Sequence, residues 1–519
     1  MFNYEQCISG VVMSVDDTSQ TPSERKSAIK KRHEQAASEV LPEHRELYIG
    51  GEWVPSASGE TFETTDPTTG ERLAEVQAGV ADDIDRAVDA AWEAYDERYS
   101  GFSAAERQAM LEAIADRIEA KDEEFARLES LDNGKPITEA RIDIELVIDH
   151  FRYFAGIARS HDGRTVDTDD SRHGQTIEEP YGVVGQIIPW NFPLLMAAWK
   201  LGPALSAGNS VVLKPAEETP LSILKLMEET NDVIPDGVVN IVTGFGPDAG
   251  EPLSEHGQIR KLAFTGSTAV GSKVMKSAAD NITDVTLELG GKSPLVVFPD
   301  AHLQQAVETT ITAIFFNTGE CCCAGSRLFV HEDIKAEFLD ELAAAAEALN
   351  VDDPLLDSTD LGPKVTTEQV ERTMSYIEEA DQEGAAFVTG GSQPDDEALS
   401  DGCFVAPTLI DEIDHDSKPV QEEIFGPVQE VFTWSEYETM IELANDVDYG
   451  LAAGILTEDL TRAHQCAKDI EAGHIWVNTY NDFPAGQPFG GYKQSGIGRE
   501  IGKEAVDHYT QTKTINISL

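Results

Sequence analysis

The chain has 519 residues, 41% of them apolar. That is enough for a few structural units of roughly 100–200 residues each, with large buried cores. Lysine and arginine number 38 against 95 aspartate and glutamate, a net charge of −57, which argues against nucleic acid and anionic membrane as partners, since both need positive surface. Self-repulsion of this size destabilises a compact state at low salt, and a Debye length of about 3 Å at about 1 M salt screens most of it. The acid is spread along the chain instead of gathered in a tail, so the charge predicts adaptation to a salt-rich cytoplasm, as in a halophile.

The first 46 residues read as an extension, partly disordered or helical and solvated, with a basic cluster at Arg25, Lys26, Lys30, Lys31 and Arg32 and with Met13 as an alternative start. The run CISGVVM is too short for a secretory signal, and no stretch of about 18 apolar residues appears, which predicts a cytoplasmic protein with no membrane partner. From Leu47, LYIGGEWVPSASGETFETTDPTTGERLAEV predicts short strands broken by turns. Amphipathic helices follow over 82–98, 103–120, 121–131 and 137–159, the third ending at the breaker Asp132-Asn133-Gly134-Lys135-Pro136. Residues 162–179 lose helical periodicity and predict a hairpin. Beyond Tyr181, short unbroken apolar runs (GVVGQIIP, GNSVVLKP, VVNIVTG, KLAFTG) alternate with helices, the pattern of a parallel sheet buried on both faces. A second such series spans 294–490, with SPLVVF, SRLFV, GCFVAPTLI and HIWVN. The tail HYTQTKTINISL alternates like an exposed strand in need of a partner edge.

Several strings bear on nucleotide binding. TGFGPDAG places Gly244, Gly246 and Gly250 after a strand, yet it has one residue too many for G-x-G-x-x-G, and a plain turn explains it as well. Thr265, Gly266 and Ser267 in FTGSTAVG close a strand and open a helix, where free amides suit a phosphate or Ser267 is simply a cap. Lys214 and Glu217 in KPAEETP suit ribose hydroxyls, or form a charged loop.

The six cysteines include three in a row, Cys321, Cys322 and Cys323, while Cys7, Cys403 and Cys466 are scattered. Adjacent cysteines suit a disulfide poorly, and no His or Cys set at zinc spacing accompanies them, so no metal is expected. A nucleophilic thiolate needs a base and an oxyanion donor. Glu288 in TLELGGKS suits a general base, or is one of many surface glutamates. Asn191 in IIPWNFP suits an oxyanion amide, or an ordinary turn.

Taken together, PWNFP, KPAEETP, FTGSTAVG, LELGGKSP, GECCCAGSR, EEIFGPV and PFGGYKQSGIGRE occur in an order and spacing that resembles the aldehyde dehydrogenase superfamily, over about residues 47–519. The resemblance implies an α/β fold of two doubly wound parallel-sheet (Rossmann-like) domains plus a small β oligomerisation flap. Residues 47–161 and 180–290 would form the NAD-binding domain, 291–506 the catalytic domain, and 162–179 with 507–519 the bridging strands of a homodimer or homotetramer. It implies Cys322 as nucleophile with Cys321 and Cys323 packing beside it, Glu288 as base, Asn191 as oxyanion donor and Glu500 in proton relay. Cofactor contacts are implied at Lys214, Glu217, Gly266 and Ser267, at Glu423 and Phe425 on the nicotinamide side, and at Ile187, Pro189, Trp190, Gly246, Gly250, Phe264 and Leu289. Phe192, Trp199, Asn478 and Phe483 would line the aldehyde channel. Many relatives carry GSTEVG where this chain has Ala269, and the extension before Leu47 is longer than the resemblance explains.

The implied reaction is oxidation of an aldehyde to its acid through a Cys322 thiohemiacetal and thioester, hydrolysed by water that Glu288 activates. Glu217 favours NAD over NADP, because a 2′-phosphate there meets like charge. Three alternatives remain: a CoA-acylating aldehyde dehydrogenase, a silent binding or structural member, and a cofactor-free cysteine hydrolase.

Overall fold

The computed structural model describes residues 21–160, 162–167 and 169–519. Cys7, Met13 and the start of the extension lie outside the described residues, as do positions 161 and 168 in the predicted hairpin. The strands follow the apolar runs closely. Val183–Ile187, Ser210–Lys214, Val239–Ile241, Lys261–Thr265 and Asp284–Glu288 pair in parallel as the centre of one sheet. Antiparallel edges come from Leu47–Ile49 with Glu52–Val54 on one side and Gly496–Ile497 on the other. Side chains alternate across this sheet. Val183, Val212, Leu262 and Phe264 pack with Ile84, Val88 and Val274, from helices Ala81–Glu97 and Thr268–Asn281. Val184, Val211, Leu213 and Ala263 belong to the larger core with Leu111, Phe151, Leu194 and Leu224. Both faces are thus covered, which is why the runs read as continuous apolar stretches.

A second sheet orders Ala386–Thr389, Thr408–Asp411, Val428–Trp434, Arg327–His331, Pro294–Val297, Ala452–Leu456 and His474–Val477, parallel except at its first pair. The two are Rossmann-like α/β units. The split at residue 290 needs one adjustment, since Gly496–Ile497, expected with the second unit, pairs with Leu287 and Glu288 in the first sheet. The hairpin forms from Thr165–Val166 and Arg172–Pro180, and the tail strand Thr510–Ser518 pairs antiparallel along the whole of Arg172–Pro180. The tail's partner edge is therefore in its own chain, and its opposite edge is open among the described residues.

The extension is not a solvated leader where it is described. Thr21 and Glu24 form a capping box that starts the helix Pro22–Val40. Ile29, His33, Ala36 and Val40, on one face, are buried. The basic cluster meets acids on both halves of the molecule: Lys30 with Glu71 at 2.9 Å, Arg25 with Asp352 at 2.6 Å and Lys26 with Asp401 at 2.7 Å.

Candidate active site

Between the two sheets lies a cavity of about 770 Å³. Ile187, Lys214, Thr265 and Glu288 are the last residues of four parallel strands, and all line it. Carboxyl ends of parallel strands are where such sheets collect ligands. One end is framed by Lys214, Glu217, Gly246, Gly250 and Phe264, together with Gly266 and Ser267, which open the helix Thr268–Asn281. Lys214 Nζ donates to Glu217 Oε2 at 3.0 Å. Ser267 accepts from Val270 N, so it is a helix cap as well as a wall residue. At the middle, Trp190 meets Phe425 edge to face at 5.2 Å, and Pro189, Leu289 and Glu423 complete the wall. The glycines of LELGG are steric: a Cβ on Gly290 would lie 2.4 Å from Glu423 Oε2, and one on Gly291 would lie 2.4 Å from the Cys322 carbonyl oxygen.

The cysteine run follows a strained approach. Asn317 and Thr318 hold φ of 53° and 57°, a left-handed conformation that costs on the order of 1–3 kcal/mol at each non-glycine residue. Asn317 Nδ2 donates to the main-chain oxygens of Asn191 and Glu320, both at 3.0 Å. Cys321 and Cys323 are buried with their sulfurs 3.4 Å apart, whereas Cys322 is partly exposed on the cavity wall. The sulfurs share one hydrogen-bonded cluster. Hydrogen bonds from Cys322 and Cys323 pull the Cys321 thiol down. Cys322 is pushed up by its bond to that sulfur, and Cys323 by burial. Of the three, Cys322 is the one with partial exposure at the cavity.

Glu288 faces the same cavity, 5% exposed, with neither carboxyl oxygen hydrogen-bonded. Burial and then the Glu500 carboxylate hold its pKa well above the usual carboxylate range. Asn191 Nδ2 donates to Glu320 O at 3.0 Å. The other N–H of that amide is left over from this bond, and Asn191 and Cys322 both line the cavity.

The family model for aldehyde dehydrogenases matches residues 53–515. The chain belongs to the aldehyde dehydrogenase family. It is 48% identical over 480 residues to an acetaldehyde dehydrogenase of Pseudomonas aeruginosa, covering 91% of this chain and 94% of that protein. It is 46% identical over 486 residues to the mitochondrial benzaldehyde dehydrogenase of Antirrhinum majus, covering 92% and 90%. An NAD+ complex of the Bacillus cereus aldehyde dehydrogenase superposes with a TM-score of 0.91 at 43% identity, over 93% of this chain and 98% of that one.

In this aldehyde dehydrogenase, two expected residues lie off the cavity wall. Asn478 is exposed, and its side chain is turned onto Thr457, accepting from its N at 3.0 Å and donating to its O at 2.9 Å. Asn481 takes the wall position, with Cys323 donating to its Oδ1 at 3.5 Å. Glu500 stands behind Glu288, paired with the fully buried Lys200. The other expected residues line the cavity, including Phe192, Trp199 and Phe483. Sequence reasoning missed Lys200, although a lone lysine in the apolar helix PLLMAAWKLGPALSA was a signal. It also missed Phe316, stacked on Phe192 at 6.2 Å, and Phe489, 5.6 Å from Trp199.

Proposed function

We propose that this enzyme oxidises an apolar aldehyde to its carboxylic acid with NAD, through a thioester on Cys322. The supporting observation is that a partly exposed thiol and a buried carboxyl with no partner open on one cavity. The other end of that cavity suits a dinucleotide: a helix N-terminus at Ser267 for pyrophosphate, Glu217 and Lys214 for the adenosine ribose, and Trp190 with Phe425 beside Glu423 for the nicotinamide riboside. When bound, NAD accepts the hydride that the oxidation releases.

The chain's own groups do the rest. Cys322 Sγ attacks the aldehyde carbon, and its proton leaves to solvent or to Glu288. The alkoxide oxygen is held by the free N–H of Asn191 Nδ2. At the thioester stage Glu288 takes a proton from water, the hydroxide attacks the carbonyl, and the Cys322 thiolate departs. Lys200 opposes the negative charge that Glu288 and Glu500 share. The aromatic wall of Phe192, Trp199, Phe316, Phe483 and Phe489 supports aliphatic or aromatic aldehydes, and Glu217 supports NAD over NADP.

The open edge of Thr510–Ser518 supports a homodimer or homotetramer, and the thiol cluster suits a reducing compartment such as the cytoplasm. An NAD-reduction screen over short, long and aromatic aldehydes at high KCl tests the activity. Dependence of product formation on added CoA would favour the acylating alternative, and no reduction with any aldehyde would favour a silent one.

A further inference from the structure

The breaker Asp132-Asn133-Gly134-Lys135-Pro136 does more than end a helix. Gly134, at φ 95°, closes Asp122–Asn133, and Pro136 precedes the next helix. Neither role needs a lysine between them. Yet the Lys135 side chain has no solvent exposure. Its Nζ donates to Asp143 Oδ2 at 2.6 Å and to the main-chain oxygen of Asn191 at 3.0 Å, and lies 4.3 Å from the Phe192 ring centroid. Two residues earlier, Asn133 Nδ2 donates to the Trp190 carbonyl at 3.1 Å. The breaker thus grips successive carbonyls of the loop that carries Asn191. Burying an ammonium costs several kcal/mol unless it is well paired, and here the second partner is the backbone of the oxyanion residue.

We propose that Lys135, held by Asp143, is a positioning residue that fixes the Asn191 peptide so that its side-chain amide stays aimed at the oxyanion formed on Cys322. Asn191 O accepts from both Lys135 and Asn317, which sets the peptide plane. Asn191 Nδ2 spends one N–H on Glu320 O, so the amide has a single donor to aim. A displacement of a fraction of an ångström there is felt mainly when charge develops on substrate oxygen. Asp143, Glu129, Glu139, Glu320 and the Cys321 thiol act on the ammonium electrostatically. A role through the thiol is therefore the competing explanation.

The proposal rests on the thioester mechanism above, and the test separates the two. Lys135→Met is compared with Lys135→Met/Asp143→Asn, which avoids an unpaired buried carboxylate should the single variant fold poorly. The readouts are the NADH burst rate normalised to burst amplitude, the NAD Kd, and the rate of Cys322 alkylation by iodoacetamide without cofactor, followed on the Cys322 peptide by mass. The expected result is a burst slowed on the order of 10- to 100-fold, with Kd and alkylation unchanged, because alkylation develops no oxyanion. Adding Lys135→Met to Asn191→Ala should cost little more than Asn191→Ala alone. A burst rate per site equal to wild type would reduce Lys135 to a structural residue. Burst and alkylation slowed by one factor would assign it to the thiol. Either outcome overturns the proposal, whereas wild-type turnover in Asn191→Ala would overturn the mechanism it rests on.

Discussion

Asn191 Nδ2 donates to the main-chain oxygen of Glu320 at 3.0 Å, which ties the amide to the peptide that leads into the cysteine run. The loops of the two halves are thereby registered before any substrate arrives. Removing one preorganised oxyanion donor typically costs about 2.7–4 kcal/mol of transition-state stabilisation. Asn191→Ala should therefore lose about a hundredfold or more in kcat, with a smaller change in aldehyde KM. Stopped-flow and steady-state kinetics check this, and near-wild-type kcat would remove Asn191 from the role.

Strands such as SVVLK and KLAFT were legible because both their faces are buried, whereas the wall residues were legible only through the family resemblance, since spacing alone left each of their motifs open. Lys200 and Lys135 were not, because what gives each a function lies far along the chain, Glu500 for one and Asn191 for the other. The Asn478 and Asn481 exchange is a matter of loop path. Both residues hold φ of 55° in the string NTYN, and only the fold shows which one turns inward. The helix Pro22–Val40 was under-read because its docking face is partly ionic: His33 stands in line with Ile29, Ala36 and Val40.

Glu288→Gln should retain an NADH burst and lose steady-state turnover on the order of 10²–10⁴-fold, since general-base assistance is worth about that much. Absence of a burst would move Glu288 to the first step. The raised pKa has two consequences. The ionised base accumulates only as pH climbs past the ordinary carboxylate range, so wild-type turnover rises with pH. The folded state also keeps a proton that the unfolded chain has lost, so this group's contribution to stability falls as pH rises from 4.5 through the raised value. The variant should gain in Tm over wild type at alkaline pH, with the gap closing towards acid.

Deleting Thr510–Leu519 removes the strand that covers Arg172–Pro180 and presents an open edge. An unpaired edge is a template for another chain, so the truncated enzyme should show a lower mass by light scattering. An unchanged mass would place the subunit contacts elsewhere.

The charge of −57 makes repulsion the dominant salt-sensitive quantity. Tm should rise steeply between about 0.1 M and about 2 M KCl as the screening length shrinks. A flat curve would show that the acids are balanced locally by pairs such as Arg25 with Asp352.

His33 offers a test with the opposite pH sign to Glu288. Its Nδ1 lies 2.7 Å from Asp66 Oδ2 and its Nε2 2.8 Å from Asp353 Oδ1, so both ring nitrogens donate when the ring is charged. Burial works against that charge, and the hydrogen bonds that the ring donates to Asp353 and Asp66 overcome it, taking the pKa from 6.5 up to about 9. The folded value exceeds the unfolded one, so the stabilisation is fully present below pH 6.5 and is lost as pH rises through about 9. Arg25, which pairs with Asp352, is held above its ordinary value by that carboxylate and cannot supply the change. His33→Gln should cost roughly 3 kcal/mol at about pH 6. Denaturant titrations at a series of pH values should show the difference from wild type shrinking above about pH 9. A difference independent of pH would mean that His33 acts by packing alone. Because Asp66 precedes the first helix of one half and Asp353 belongs to the other, the same titration reports on how firmly the helix Pro22–Val40 ties the halves flanking the cavity.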